Sequence, residues 1–496
     1  MAVIVVSALI LAFIIYLSVG LSLGAGTRGI ADLLPLKFSR QARVADAREF
    51  SASTVATTIS LATVVMAFFE LAGRFGMWLF WTVATTVTGL LVVRLFAKKI
   101  WQRISVYDHR PTLHEFLGTE FNSKLLSYVG AVCASLGFLF AFAVELTVGS
   151  RFFAGLVPAV PSWVVVIVLS VVAFVYTAMG GFRAVIVTDR FQMVSIWLLL
   201  IALPAFYLYY VFAHDGWSES LAKVPAPILN FSYREGLGAF LLGIFVINVP
   251  AFISDMSIWQ RIAGAQNDKT VTKGLVTSVL ACAATWGLFA LLACIGFMMV
   301  TTEERVNPLV SVVNVIGGNK GVFSGFILFL VILGLYGAML STASTQLIAV
   351  SHTLYEDVFS RLRKSPLNDR LASRRELGLS RFILVAAAIV STLLVELLSY
   401  VGFSIADLVF AIYGAQLGLC PLVVAALMLD RRRLGRVSKA AAVAVSAGFV
   451  TGWGTAVYGR LTSNSSLVFL APVCSLVVSA IILCAGFVAG KGRLSR

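Results

Sequence analysis

Apolar windows of about 20 residues recur along the whole of this 496-residue chain, and a helix needs roughly that length to cross the hydrocarbon core of a bilayer. Only 12% of the residues are charged and 59% are hydrophobic, whereas about a quarter of the residues in a soluble domain carry a charge. Because lipid offers no partners to backbone polar groups, such windows cross a membrane as helices. The sequence therefore predicts an all-α polytopic membrane protein.

Thirteen windows qualify as membrane spans, and we number them 1 to 13 in chain order. They lie near residues 2–23, 50–72, 76–97, 124–150, 161–179, 190–213, 237–260, 271–300, 321–355, 380–400, 404–428, 437–458 and 466–489. Span 1 has no basic residues ahead of it and no cleavage site, so we expect a retained helix and not a signal peptide. No loop is long enough for a separate soluble domain.

The net charge of +15 would suggest a nucleic-acid partner if the basic residues shared one surface of a soluble domain. With the amino terminus outside, however, 31 of the 38 Lys and Arg residues fall on one side of the membrane and 7 on the other. Cytoplasmic loops carry such an excess of basic residues. We therefore predict an amino terminus outside and a carboxyl terminus inside, a multi-pass protein of the inner or plasma membrane, and no nucleic-acid partner. The sequence leaves the oligomeric state open.

Metal and catalytic signatures are weak. The six cysteines lie inside spans without metal-ligand spacing, so no disulfide framework is expected. His352-x-x-x-Glu356-Asp357 places His352 and Glu356 on one helical face at the end of span 9, but no third ligand accompanies them in sequence. No nucleophile–base constellation or phosphate loop is present. We therefore expect no enzyme and no catalytic residues.

Span 9 carries an unusual cluster of hydroxyl side chains. Ser341, Ser344 and Thr345 share one helical face, and Thr342 lies on the adjoining face. Polar groups in hydrocarbon face the interior of a helix bundle and mark functional sites. The alternative, in which the hydroxyls donate to carbonyls of their own helix or join neighbouring helices, remains open.

Spans 2 and 7 contain residues that interrupt helices. Residues 56–63 are rich in hydroxyl and β-branched side chains, and span 7 contains Asn248-Val-Pro250 followed by Ser254-Asp255. Proline removes a backbone hydrogen bond, so a discontinuous helix is expected. Carbonyl and hydroxyl oxygens together suit a hard cation such as Na⁺. Spans 2 and 7 are five apart, the spacing of two five-helix inverted repeats.

Spans 5 and 6 are joined by Gly180-Gly181-Phe182, and Asp189 follows where the chain re-enters the membrane. We expect a hinge there, with Asp189 beneath the span 9 hydroxyls. Asp189 as a loop acid paired with Arg190 or Arg183 is the alternative.

Several motifs together resemble the sodium:solute symporter family, which includes sodium–glucose, sodium–proline and sialic-acid transporters. They are Tyr176-Thr-x-x-Gly180-Gly181-Phe182-x-Ala184 with Thr188-Asp189-x-x-Gln192, Trp259-Gln260-Arg261, Ser341-Thr342 ahead of Asp357, and Ser404-Ile-Ala-Asp407 with Gly418-x-x-Pro421. The resemblance covers essentially the whole chain. It implies a leucine-transporter-type fold. The expected divisions are 1–49 (extra helix and loop), 50–215 (first repeat), 216–430 (second repeat) and 431–496 (two further helices and a basic tail).

The resemblance also implies Na⁺ ligands. The family's common sodium site would use the carbonyls of Ala56, Ile59 and Ala338 with the hydroxyls of Ser341 and Thr342. The positions that match a second sodium site of some members are Ser341, Ser344, Thr345 and Asp189, and all four carry oxygen. We expect one or two Na⁺ per cycle.

The transported solute is less constrained. The sugar-transporting branch has amide side chains where this chain has Thr58, Thr63 and Asp255, so sugar is disfavoured. Two acids, Asp255 and Glu145, without Lys or Arg at their depth favour an amine-bearing or amino-acid-like solute. The candidate substrate residues are Thr58, Thr63, Glu145, Ser254, Asp255 and Gln416. Another solute class (carboxylate, nucleoside, vitamin or sugar) and a transporter-like sensor module are the alternatives.

Overall fold

The structure is a computed structural model that describes residues 1–35, 44–214, 216–300, 307–360, 374–401 and 404–492. Parts of the basic loops, 36–43 and 361–373, and the last four residues of the basic tail lie outside the described residues. Within the described ranges the chain is helical, with one isolated parallel bridge between Val44 and Ala265. The prediction of an all-α fold is confirmed.

The main helices are labelled in chain order. They are α1 (Ala2–Gly24), α2 (Ala47–Thr58), α3 (Ala67–Phe75), α4 (Phe80–Ile104), α5 (Leu113–Glu120), α6 (Lys124–Leu156), α7 (Ser162–Ala213), α8 (Leu237–Asn248), α9 (Met256–Gly264), α10 (Asp268–Ile295), α11 (Val322–Thr353), α12 (Arg374–Val401), α13 (Ile405–Gln416), α14 (Cys420–Met428), α15 (Ser438–Leu461) and α16 (Ser465–Gly492). Further, unlabelled helices are Ile30–Leu33, Gly216–Ala222, Ala251–Ser254, Pro308–Gly318 and Arg431–Gly435, and π-helical turns span Leu61–Met66 and Leu354–Phe359.

Eleven helical stretches of the described chain are long and apolar enough to cross a membrane. Two of them, Leu61–Ile104 with 44 residues and Ser162–Ala213 with 52, each cover two of the predicted spans. The count of thirteen crossings, the orientation and the division into repeats stay predictions. We call the end of the bundle where α2 begins and α4 ends, with Arg48, Arg103, Arg183 and Arg431, the basic face. It is the predicted cytoplasmic side.

The first helix break lies where the hydroxyl-rich sequence predicts it. α2 ends at Thr58, and Ile59 (φ −100°, ψ 85°) and Ser60 (φ −85°, ψ 146°) leave the helical conformation. The Ser60 hydroxyl accepts the Thr63 N–H at 2.8 Å and donates to the Glu145 carboxylate of α6. These hydrogen bonds give partners to polar groups at the break, and lipid could not supply such partners.

The second break follows α8 at Val249 and Pro250, where the proline ring cannot donate to the helical ladder. The chain leaves helical geometry again at Asp255 (φ −80°, ψ 117°), whose carboxylate accepts the Ser257 N–H at 2.7 Å and caps α9. Asn248 donates to the Thr85 hydroxyl of α4 at 3.0 Å. The predicted discontinuity of span 7 is confirmed.

The third break divides α7. Gly181 has φ 60° and ψ −152° inside an otherwise continuous helix, and a Cβ there would lie 2.2 Å from the carbonyl oxygen of Leu33. Only glycine combines this conformation with this approach. The predicted hinge between spans 5 and 6 is therefore a break in the structure.

α11 lies at the centre of the bundle and approaches α7 closely. A Cβ on Gly337 would lie 2.3 Å from the Ser195 hydroxyl, and one on Gly334 would lie 2.4 Å from Leu199. Small residues permit such close helix packing in membranes. Tyr176 of α7 donates to the Leu340 carbonyl at 3.2 Å. This packing fixes the α11 hydroxyls between α7 and the broken α2.

Candidate functional site

The hydroxyls of α11 meet the broken end of α2. Ser341 donates to the Ala56 carbonyl at 2.8 Å and to the Ala338 carbonyl at 3.0 Å. Thr342 donates to the Thr57 carbonyl at 3.3 Å and to Ala338 at 3.5 Å. The structure thus brings together the oxygens of four predicted sodium ligands, and the fifth, Ile59, lies at the break beside them. A buried set of carbonyl and hydroxyl oxygens fits a hard monovalent cation.

Asp189 lies on the basic-face side of this junction and is fully buried. Its Oδ2 accepts from the Ser53 hydroxyl and, at 3.3 Å, from Nη2 of Arg261. Within the described part of the chain, its Oδ1 has no hydrogen-bond partner. A buried carboxylate oxygen without a donor is costly, so it can accept a cation or a donor.

Arg261, from α9, is also fully buried. Its Nε donates to Ser53 at 2.8 Å, and its Nη1 donates to the Ser257 carbonyl at 3.0 Å. Nη2 contacts the hydroxyls of Thr57 and Thr345, the latter at 3.0 Å. The guanidinium thus lies among the atoms of the predicted second sodium site. Ser344, the remaining member, donates to the Ser341 carbonyl at 3.3 Å.

Arg261 is one of the 31 basic residues predicted on the cytoplasmic side, and the sequence analysis does not predict its burial in the bundle. The available signal was the motif Trp259-Gln260-Arg261, placed directly after a broken helix. In the structure α9 begins directly after the break, at Asp255, and packs Arg261 against Ser53 and Asp189. It therefore carries the guanidinium into the bundle and not into solvent.

A cavity of about 1070 Å³, the part open to solvent included, adjoins this junction. Of the predicted site residues, Thr58, Thr63, Asp255, Thr342 and Thr345 line it. Most of the remaining wall is apolar or aromatic and includes Phe68, Phe138, Phe252, Trp286, Phe410 and Tyr413. Among the described residues that line it, Asp255 is the only ionisable group apart from the Tyr413 phenol, and none is Lys or Arg.

Three predicted substrate residues lie elsewhere in the described chain. Glu145 is fully buried, and its carboxylate accepts from the Ser60 hydroxyl and from the Ala62 N–H at 3.4 Å. Its place is behind the α2 break and not in the cavity wall. Ser254 donates to the Ala251 carbonyl at 3.0 Å. Gln416 packs against α6, where a Cβ on Gly137 would lie 2.1 Å from its Nε2.

Solved structures with the same architecture identify the fold. A Na⁺-coupled sialic acid symporter in a substrate-bound outward-open state superposes with a TM-score of 0.75 at 18% identity, over 98% of both chains. Mhp1, a nucleobase-cation-symport-1 family transporter, gives 0.58 at 14% identity over 92% of this chain and 95% of that chain. A manganese transporter of Eremococcus coleocola gives 0.52 at 12% identity over 93% and 100%. No curated protein matches the sequence significantly.

The broken helices and these neighbours define a multi-pass helical membrane protein of the leucine-transporter-type fold. The sequence pattern of the sodium:solute symporter family matches residues 47–434. The chain belongs to the sodium:solute symporter family, whose coupled ion is Na⁺. Family and structural neighbours are transporters and not enzymes.

Proposed function

We propose that this symporter carries a solute with a cationic amine and a largely apolar body. The single observation that carries the proposal is Asp255, the one carboxylate among the described lining residues, none of which is Lys or Arg. Arg261 contacts Thr57 and Thr345 from outside the lining. It also acts on Asp255, contrary to the expectation of no cation near this acid, but it is paired with Asp189. A carboxylate in an apolar cavity stabilises an amine strongly, because the surroundings screen the charges weakly. An anionic solute would meet that carboxylate as a like charge.

The shape of the wall supports an apolar body for the solute. The Phe68 and Trp286 rings stand edge to face with centroids 5.6 Å apart. Aromatic walls with a few polar groups are typical of small-molecule sites, and aromatic faces also attract cations. A polyhydroxylated sugar would leave most of its hydroxyls without partners on such a wall.

The test is a thermal-shift screen of amines, amino acids, sugars and carboxylates in Na⁺ and in K⁺, followed by uptake of the best ligand into proteoliposomes under an imposed sodium gradient. We expect amines to stabilise the protein and to accumulate only with inward Na⁺. Asp255→Asn should lower their uptake about tenfold or more, since a charge-assisted contact contributes about 1.5–3 kcal/mol. Asp268→Asn, at the start of α10 outside the cavity lining, is the control. Stabilisation by sugars or carboxylates alone would overturn the amine assignment.

We place the first Na⁺ at Ala56, Ile59, Ala338, Ser341 and Thr342. There the ion would join the α2 break to α11, directly beside the lining residues Thr58 and Thr342. Binding of Na⁺ would then order the solute cavity, which couples the two ligands.

We place a second Na⁺ at Asp189, Ser341, Ser344 and Thr345. The free Asp189 Oδ1 supports this placement, and Arg261 is its competitor, because its guanidinium already contacts Asp189 and Thr345. Each charge that crosses 100 mV contributes about 2.3 kcal/mol. The occupancy of this site therefore decides how steeply the solute can accumulate.

A further inference from the structure

A second cluster of metal-binding groups lies on the basic face, outside the transport site. Each of three residues offers one ligand atom, and these atoms lie within 4.8 Å of one another: they belong to His109, Glu115 and Glu356. The His109 Nε2 and the Glu115 Oε2 are 2.8 Å apart. The three residues come from the turn before α5, the first turn of α5 and the π-helical turn after α11. Of the possible ligands, only His352 and Glu356 are neighbours along the chain, since His109 and Glu115 lie more than 200 residues before Glu356.

One threonine holds the two carboxylate-bearing elements together. The Thr112 hydroxyl donates to Asp357 Oδ2 at 2.6 Å and accepts the Glu115 N–H at 3.0 Å. Ser127 of α6 also donates to Asp357, at 3.1 Å. Because Asp357 adjoins Glu356, these bonds fix the backbone at both carboxylate positions. A ligand set fixed in this way loses little entropy when it binds an ion.

The surroundings also suit ligand exchange. The side chains of His109 and Glu115 are 17% and 19% exposed, and Glu356 is nearly buried. Arg110, the nearest cation in sequence, has its guanidinium 4.5 Å from the Trp101 ring centroid and donates to the Ala265 carbonyl. Two carboxylates and one imidazole can balance a divalent charge beside Arg110.

We propose that His109 Nε2 and the carboxylates of Glu115 and Glu356 bind a first-row divalent cation of the Zn²⁺ type. An imidazole with two carboxylates is a common donor set for Zn²⁺ and suits it better than Na⁺ or Ca²⁺, which take oxygen only. The binding of metal at this site does not depend on the identity of the solute.

The bound ion would restrain the transport site by joining α5 to the end of α11, which we call its bracing role. α5 packs against α9 through the rings of Phe116 and Trp259, whose centroids are 5.1 Å apart. The Leu113 N–H also contacts the Met256 sulfur at 3.4 Å. An ion that joins α5 to the end of α11 therefore restrains α9, the helix that carries Arg261. Divalent metal on the basic face should slow the transport cycle.

The test is titration of the purified full-length protein with Zn²⁺ by calorimetry. We expect saturable binding, weakened about tenfold or more in His109→Ala and in Glu115→Gln, because each loses a ligand. His214→Ala is the matched control: this histidine stacks on Tyr210, 4.2 Å between centroids, away from the cluster. Absence of saturable binding, or equal affinity in wild type and both variants, would overturn the site.

Transport gives the second readout. Zn²⁺ applied to the basic face should slow sodium-driven uptake by wild type and leave His109→Ala unaffected, while both take up solute equally without metal. Equal inhibition of both proteins, or none, would refute the bracing role. If no solute can be found, the calorimetric result still decides the metal site, so the two proposals fail separately.

Discussion

At the scale of single residues, Ser341 does more than fill a buried position. Its hydroxyl joins α11 to a carbonyl that the broken α2 leaves free, at 2.8 Å. Ser351 lies ten residues further along the same helix and is equally buried, but it bonds to Ser380 of α12, 2.9 Å between the hydroxyl oxygens. The two serines therefore lie on the same helix and are equally buried, and they differ in the groups that their hydroxyl oxygens contact.

This difference gives a matched test of the first sodium site. Ser341→Ala should raise the Na⁺ concentration for half-maximal uptake roughly tenfold, since a ligand to an ion contributes about 1.5–3 kcal/mol. Ser351→Ala should leave that concentration unchanged. Sodium activation curves measured in proteoliposomes check both. An unshifted curve for Ser341→Ala would remove the hydroxyl from the ion's ligands.

At the scale of helices, the break at Gly181 positions the second half of α7 against α2. Beyond the break, Arg183 donates to Glu49 of α2 at 2.6 Å, and Glu49 also accepts the Ala45 N–H at 2.7 Å. Eight residues beyond Gly181, Asp189 reaches Ser53 of the same helix. The break therefore sets how the first half of α2 docks on the second half of α7.

Gly181→Ala should destabilise the protein strongly. A positive φ costs a residue with a Cβ roughly 1–3 kcal/mol, before the collision with Leu33 is counted. Gly287→Ala in α10 is the control, because a Cβ there meets nothing within 4 Å. That change should be neutral or slightly stabilising. Thermal melting of the two purified variants checks the difference, and equal melting temperatures would contradict it.

Helix breaks are predictable from the sequence, whereas contacts between distant helices are not. Pro250 and Gly181 interrupt helices for local reasons, so their breaks are predictable from the residues themselves. The role of Glu145 is not, since its partner Ser60 lies 85 residues away. An acid at the correct depth can face a cavity or a neighbouring backbone break, and only the packing of α6 decides between them. The burial of Arg261 was missed for the same reason.

For the whole molecule, the proposed second Na⁺ depends on the Asp189–Arg261 pair. Removing one member of a buried pair leaves an uncompensated charge and costs about 3–5 kcal/mol. Asp189→Asn should therefore abolish the cooperativity of sodium activation and also lower stability. The double variant Asp189→Asn/Arg261→Gln keeps the site neutral, so it should recover stability but not cooperativity.

Sodium Hill coefficients and melting temperatures of both variants check this expectation. Glu120→Gln is the control, since this buried acid pairs with Arg103 at 2.7 Å and Arg431 at 2.9 Å, both on the basic face. Cooperativity that persists in the double variant would remove Asp189 from the ligands of the second Na⁺.

Arg261 also bears on how the transmembrane voltage acts on the transport cycle. The guanidinium is bonded covalently to α9 and is fully buried, so it is a charge that the protein never releases. Asp255 at the start of α9 carries the opposite charge. A displacement of this helix along the membrane normal therefore moves no net side-chain charge through the transmembrane field, where one full charge would contribute about 2.3 kcal/mol per 100 mV. The return of the empty carrier would then be insensitive to voltage at this helix, and voltage would act on the steps that carry the ions and the solute.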